Sequence, residues 1–257
     1  MRRKLLSVWV IAFLFTGLHG NSLRDYEHVK EFYEDLAQVT IDLAIKYNTP
    51  PAAILAMAGL ESGYGQGYIA RITGNILSLG ANKGDAKLPP LYLPEIVDSG
   101  TIIFDEARIE TFEDDDLEWK MRPGSLKKDY RPQPYSGTPE NLTYFKHHPK
   151  EKLSAQRKNL EDFMTKWLNT RYQFQVFAET RRYLDSMVKE YGKAVLFSPE
   201  LNMRFLEKIG GKPGSFNYRK TWRNKVVWIM ENAELVKLAR SMYYDNLSFE
   251  EAWDNNN

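Results

Sequence analysis

Residues Ala52 to Leu60 read Ala-Ala-Ile-Leu-Ala-Met-Ala-Gly-Leu, and the next residue is Glu61. A helix that is apolar all round belongs at the centre of a fold, not on its surface. The small residues Ala52, Ala53, Ala56, Ala58 and Gly59 let other helices come close to it. Upstream, Thr49 is placed as the N-cap and Pro50 in the first turn. The helix is expected to stop at Glu61, because glycines 63, 65 and 67 continue a helix poorly.

A buried helix that ends in a carboxylate constrains chemistry as well as packing. Burial disfavours the charged form of an acid and raises its pKa. The partial negative charge of a helix C-terminus pushes the same way. Both effects suit Glu61 to hold a proton near neutral pH, as a general acid must. The plainer alternative is a surface glutamate that happens to end a helix.

Other segments pack around this one. Val29, Phe32, Leu36, Val39 and Leu43 recur at spacings of three and four, which predicts an amphipathic helix over Glu27 to Tyr47. Helices resume near Ser154, where Leu160, Phe163 and Trp167 keep helical spacing. A further helix is expected from Phe174 to Tyr191, ended by Gly192. Ser198 caps another, which Gly210-Gly211 closes. One long helix is expected from Lys220 to Met242, with Trp222, Val226, Ile229 and Ala233 on one face. Between 81 and 150 the chain changes character, and eight of the twelve prolines fall between 89 and 149. Gly100 to Phe104 and Ala107 to Phe112 read as a small hairpin in an irregular lobe. Glu113 to Asp116 reads as a solvated turn, with a metal site as the lesser alternative.

The N-terminus has its own pattern. Arg2, Arg3 and Lys4 precede an apolar run from Leu5 to Phe15, and Gly17 and Gly20 follow. Residues 1–20 therefore read as a secretory signal peptide, with a retained anchor as the alternative. The membrane is expected to matter only through this segment. Cysteine is absent, which excludes disulfides, a lipidated cysteine and thiolate metal sites. A net charge of +1 argues against nucleic acid as a partner. His147 and His148 are adjacent, so a regular helix cannot turn both to one metal, and a zinc hydrolase is disfavoured. No Gly-x-Ser-x-Gly elbow, P-loop or dinucleotide fingerprint occurs.

The stretch from Ala56 through Leu60-Glu61-Ser62-Gly63-Tyr64-Gly65, then Ile69-Ala70 and Gly74-Asn75-Ile76-Leu77-Ser78-Leu79-Gly80, resembles the glucosaminidase family of peptidoglycan hydrolases. The resemblance covers residues 52 to 80. Where the family has Asn-Leu-Phe-Gly, this chain has Asn75-Ile76-Leu77-Ser78 and lacks the aromatic. The resemblance implies a mainly α, lysozyme-like fold, with the irregular/β lobe flanking a cleft. It implies one domain over 21–250 with 81–150 inserted, and 251–257 as a frayed tail. Glu61 would protonate the leaving oxygen of a β-1,4 bond in peptidoglycan glycan strands, without a cofactor. The chain would be an exported, periplasmic or extracellular endo-β-N-acetylglucosaminidase, and a monomer. A lytic transglycosylase and a non-catalytic wall-binding protein are the rivals.

Other site residues follow from the same likeness. The family has an active-site tyrosine before its last helix, and this chain offers Ser215-Phe216-Asn217-Tyr218. Counting back from the helix aligns Phe216 with that tyrosine, but Tyr218 is taken as the catalytic residue, because a phenol can hydrogen-bond near the reacting sugar and a phenyl cannot. The family's second carboxylate lies in the variable lobe. Glu95 is taken first, with Asp98, Asp105 and Glu106 as alternatives. Ser62, Tyr64, Tyr68 and Asn75 are the expected substrate-binding residues.

Overall fold

A computed structural model describes residues 22–169 and 175–254. The expected signal peptide lies outside the described residues. The fold is mainly helical, with one two-stranded sheet among the described residues.

α1 spans Glu27–Lys46 and buries the predicted face, including Val29, Phe32, Leu36, Ile41 and Leu43. α2 spans Pro51–Ser62 and buries every residue from Pro51 to Gly59. It packs against α1 and against three helices from the C-terminal part of the chain. One correction concerns its start. Thr49 does not cap α2; Pro50 holds the cap position without a side-chain bond, and Pro51 is the first helical residue. The free amide of Ala53 is bonded instead by Asn202 Oδ1 at 2.8 Å. A side chain remote in sequence thus supplies the cap, which local reading cannot foresee.

α3 spans Tyr68–Thr73 and ends at Gly74. The lobe follows. Its strands are β1, Leu91–Ile96, and β2, Leu117–Arg122, paired antiparallel with Leu91 opposite Arg122. The hairpin expected at Gly100–Phe104 and Ala107–Phe112 is therefore misplaced. Within that stretch the chain makes a single bridge, Glu95 to Ile102, and a short helix α4, Glu106–Ile109. Leu91 and Leu93 decide the pairing, because they bury against Ile72, Leu88 and Phe104. Pro94 is tolerated in β1 because a two-stranded sheet leaves each strand an edge. The acidic run 114–116 is an exposed 3-10 turn.

The helices resume with α5, Tyr144–His147, and α6, Pro149–Asp162. α6 starts before Ser154 because Pro149 suits its first turn. It runs on into a π-turn, Phe163–Trp167. α7 spans Gln175–Tyr191, and Phe174 lies outside the described residues. α8 spans Pro199–Ile209, with Ser198 Oγ accepting from the Leu201 amide as predicted.

The expected last helix is two helices: α9, Trp222–Asn232, and α10, Leu235–Tyr244. Glu234 between them is left-handed, at φ 51° and ψ 37°. Neither glycine nor proline marks the break in the sequence. The N-terminal turn fills it: Arg24 donates to the Ala233 carbonyl at 3.1 Å, and Ser22 to that of Asn232 at 3.2 Å. The frayed tail expected over 251–257 is corrected over residues 251–254. α11, Phe249–Asp254, buries Phe249, Ala252 and Trp253. Residues 255–257 lie outside the described residues.

Candidate active site

The end of α2 is locked by its own side chains. Ser62 Oγ donates to the Ala58 carbonyl at 2.6 Å and accepts from the Gly65 amide at 2.8 Å. Gly63, Tyr64 and Gly65 take φ values of 56°, 54° and 75°. The amides of Tyr64 and Gly67 then return to the carbonyls of Gly59 and Ser62, both at 2.9 Å. Glu61 stands half-buried on the last turn before this reversal.

Its main partner is Trp222, whose indole Nε1 donates to Glu61 Oε1 at 2.7 Å. Trp222 opens α9 and is 3% exposed. The ring lies against Phe216, centroid to centroid 5.6 Å, and against the bare backbone of Gly210. A Cβ at Gly210 would stand 2.2 Å from the ring, so only glycine leaves room for it. Two backbone bonds pin this corner: Phe216 N to the Ile209 carbonyl at 2.7 Å, and Gly211 N to the Asn217 carbonyl at 2.8 Å. The Asn217 side chain lies close enough to lower the Glu61 pKa.

Burial pushes the Glu61 carboxyl above its ordinary value. The Trp222 bond, the positive charge of Lys127, the Asn217 side chain and the charge of Arg219 pull it back in part. Lys127 is itself half-buried, and burial lowers its pKa while Glu61 raises it. Its Nζ donates to the Ser78 carbonyl. The site is therefore a carboxyl held toward its neutral form, with one oxygen fixed by a neutral donor and cations nearby.

The other expected residues fall in different places. Ser62 and Asn75, expected on substrate, make their hydrogen bonds within the protein. Asn75 is buried, donates to the Leu79 and Lys128 carbonyls, and accepts from the Leu79 amide and Asn159. Ser62 shapes the turn after α2, and Asn75 joins the segment after α3 to the lobe. Tyr64, expected as a sugar wall, packs edge-on against His28, Phe32 and Tyr33 of α1. Burial pushes its phenol up to about 12. It borders a cavity of about 510 Å3, with His28, Arg71, Phe104 and Lys146, that does not include Glu61. Tyr68 is half-buried against the small core under the hairpin.

Glu95 lies on β1 between two cations, Arg122 at 2.6 Å and Lys120 at 3.2 Å. Their hydrogen bonds hold its carboxyl below the ordinary value. No bond joins it to Glu61 among the described residues. Tyr218 is 70% exposed, whereas Phe216 packs on Trp222, Phe163 and Trp167.

Trp222, Asn217, Lys127 and Arg219 were not anticipated from sequence as partners of Glu61. Only Trp222 carried a signal: a buried indole needs an acceptor for its N–H, and Glu61 was the one carboxylate expected inside. Among the described residues, no three histidine or acidic side chains converge as a metal set. No family model, curated protein or solved structure matches the chain.

Proposed function

We propose that this chain is a lysozyme-like glycoside hydrolase that cleaves β-1,4 bonds in the glycan strand of peptidoglycan, as an endo-β-N-acetylglucosaminidase. The observation that carries this reading is the Glu61 carboxyl. It ends an apolar buried helix, burial favours its protonated form, and Trp222 fixes Oε1. Oε2 is then the oxygen that bears the proton toward the glycosidic oxygen. After the bond breaks, the carboxylate takes a proton from the attacking water. The reaction as written uses no cofactor.

The second carboxylate shapes the mechanism. Glu95 is engaged by two cations, and the charges that act most on Glu61 are Lys127 and Arg219. That surrounding favours attack by water, or by the substrate's own N-acetyl group, over a protein nucleophile. It equally suits a lytic transglycosylase, in which the sugar closes on itself to an anhydro product. Export through residues 1–20, to the periplasm or outside, completes the reading.

The test is digestion of purified peptidoglycan followed by mass spectrometry of the new ends. Reducing N-acetylglucosamine ends are expected, and anhydromuramic ends would assign the transglycosylase instead. Glu61→Gln should fold as the parent does by circular dichroism and lose about 10²- to 10⁴-fold in rate. Undiminished cleavage by that variant would remove Glu61 from the chemistry. No cleavage by the parent would leave a wall-binding protein.

A further inference from the structure

The cavity of about 510 Å3 that Tyr64 borders takes no part in the proposed cleavage, and Glu61 is not among its walls. Its volume is that of an ordinary small-ligand pocket. It is enclosed by α1, the turn after α2, α3, and the chain on either side of α5. Phe32 of α1, Tyr64 of the turn, Phe104 before α4 and Phe145 of α5 give it apolar walls. Charged side chains of both signs stand among them.

Those charges do not all answer one another. Lys146 is paired with Asp105 at 2.6 Å, and Lys152 with Asp35 at 3.6 Å. Arg71 has neither an ion pair nor a side-chain hydrogen bond among the described residues. Its guanidinium lies over the Phe104 ring instead, with Cζ 5.0 Å from the centroid. The ring holds the cation in place through its charge. It accepts none of the five N–H donors in the usual way, so the fork is positioned and still open.

Two acids of the same cavity, Glu31 and Glu34, also lack an ion pair among the described residues. They are three residues apart on α1 and therefore share one face of that helix. Both are exposed, whereas Arg71 is half-buried and Phe104 is buried. The cavity thus has a cation against its aromatic floor and two acids at its mouth. Opposite charges that line one cavity and do not meet are kept apart by the space between them.

We propose that this cavity is a binding site for a short peptide that ends in a free carboxylate. The carboxylate meets Arg71, an apolar side chain lies among Phe32, Tyr64 and Phe104, and an ammonium group faces Glu31 and Glu34. Arginine suits the first contact, because its two parallel N–H groups fork onto a carboxylate. A simple anion would answer Arg71 and leave the glutamates facing a like charge. A polyamine would answer the glutamates and be repelled by Arg71. A zwitterion with an apolar middle answers all three. The site uses neither Glu61 nor a glycan, so it stands apart from the glycosidase reading.

The experiment is calorimetric titration of the full chain with the dipeptide lysylphenylalanine, its C-terminal amide, and the form acetylated on both amines. Inorganic phosphate is the fourth probe. The free dipeptide should bind about tenfold more tightly than its amide, as the loss of a charge-assisted pair would give. It should also bind more tightly than the acetylated form and than phosphate. Arg71→Gln should bring the ratio of acid to amide close to one and keep the preference for free amines. Glu31→Gln with Glu34→Gln should do the reverse. The glutamates are exposed on α1, so their variant keeps the test decisive even where Arg71→Gln lowers the melting temperature. Equal binding of acid and amide by the parent overturns the proposal, as does a preference for the acid that survives Arg71→Gln. Phosphate binding as tight as that of the dipeptide would reduce the cavity to an anion site. No binding of the dipeptide at millimolar concentration overturns the proposal outright.

Discussion

The helical body and the lobe treat a carboxylate in opposite ways. In the body, Glu61 is surrounded by apolar burial and bonded by a neutral indole, and its pKa rises. In the lobe, Glu95 lies between Arg122 and Lys120, and its pKa falls. The contrast extends beyond these two acids. The body rests on one continuous apolar core that runs from Leu23 to Trp253. The lobe has only small apolar clusters, and ion pairs reinforce it, such as Lys146–Asp105 at 2.6 Å and the fully buried Arg131–Asp129 at 2.7 Å. A proton donor needs the first environment, and a stable anion needs the second.

The sharpest break of this comparison is catalytic. Glu95→Gln should reduce glycan cleavage by at least about tenfold less than Glu61→Gln does, since only the raised carboxyl serves as acid. Equal losses in the digestion assay would mean that both acids work on substrate.

Stability separates the regions next. Arg131 is fully buried, and besides Asp129 it bonds the carbonyls of Thr138, Glu140 and Asn141. Asp129→Ala leaves that guanidinium without a counter-charge and should cost about 3–5 kcal/mol in denaturant unfolding. A loss under about 1 kcal/mol would show that the carbonyls alone suffice to hold it.

The smallest effect has opposite signs in the two regions. Folded Glu61 holds its proton more tightly than the unfolded chain does, so stability falls as pH rises from the ordinary glutamate value through its raised one. Glu61→Gln removes that loss, and the glutamine oxygen can still accept from Trp222. Glu95 is the reverse: its stabilisation is present above the ordinary value and disappears as pH falls through the lowered one. At pH 7, melting should therefore place Glu61→Gln above the parent and Glu95→Gln below it. Both differences should shrink in acid, below the Glu95 value. Shifts of the same sign at pH 7 would contradict the contrast.

The two regions also differ in how far the sequence discloses them. α1 follows from hydrophobic spacing, because it meets the core along a face that the period defines, and α2 follows from an unbroken apolar run that has no polar face. Ser198 is legible because its cap is local. The break at Glu234 is not, since the groups that satisfy it come from Ser22 and Arg24. The same holds for Asn202 at the start of α2. In the lobe, pairing is set by two leucines and by ion pairs between distant residues, and neither leaves a periodic trace. Glu61 itself was visible as an acid on a buried helix. Trp222 was legible as an apolar residue on the face of α9 whose buried N–H needs an acceptor, and Lys127 only as one of a pair of lysines.

The reversal after α2 has a consequence of its own. L-amino acids coil to the right by default, and Gly63, Tyr64 and Gly65 coil to the left. Handedness has no intermediate values, so the helix cannot fray gradually or grow by a fraction of a turn. One more right-handed residue would turn the reversal, and the segment that follows it, about 100° around the axis relative to Glu61. The bearing of that segment on the Glu61 carboxyl is thus counted in whole residues.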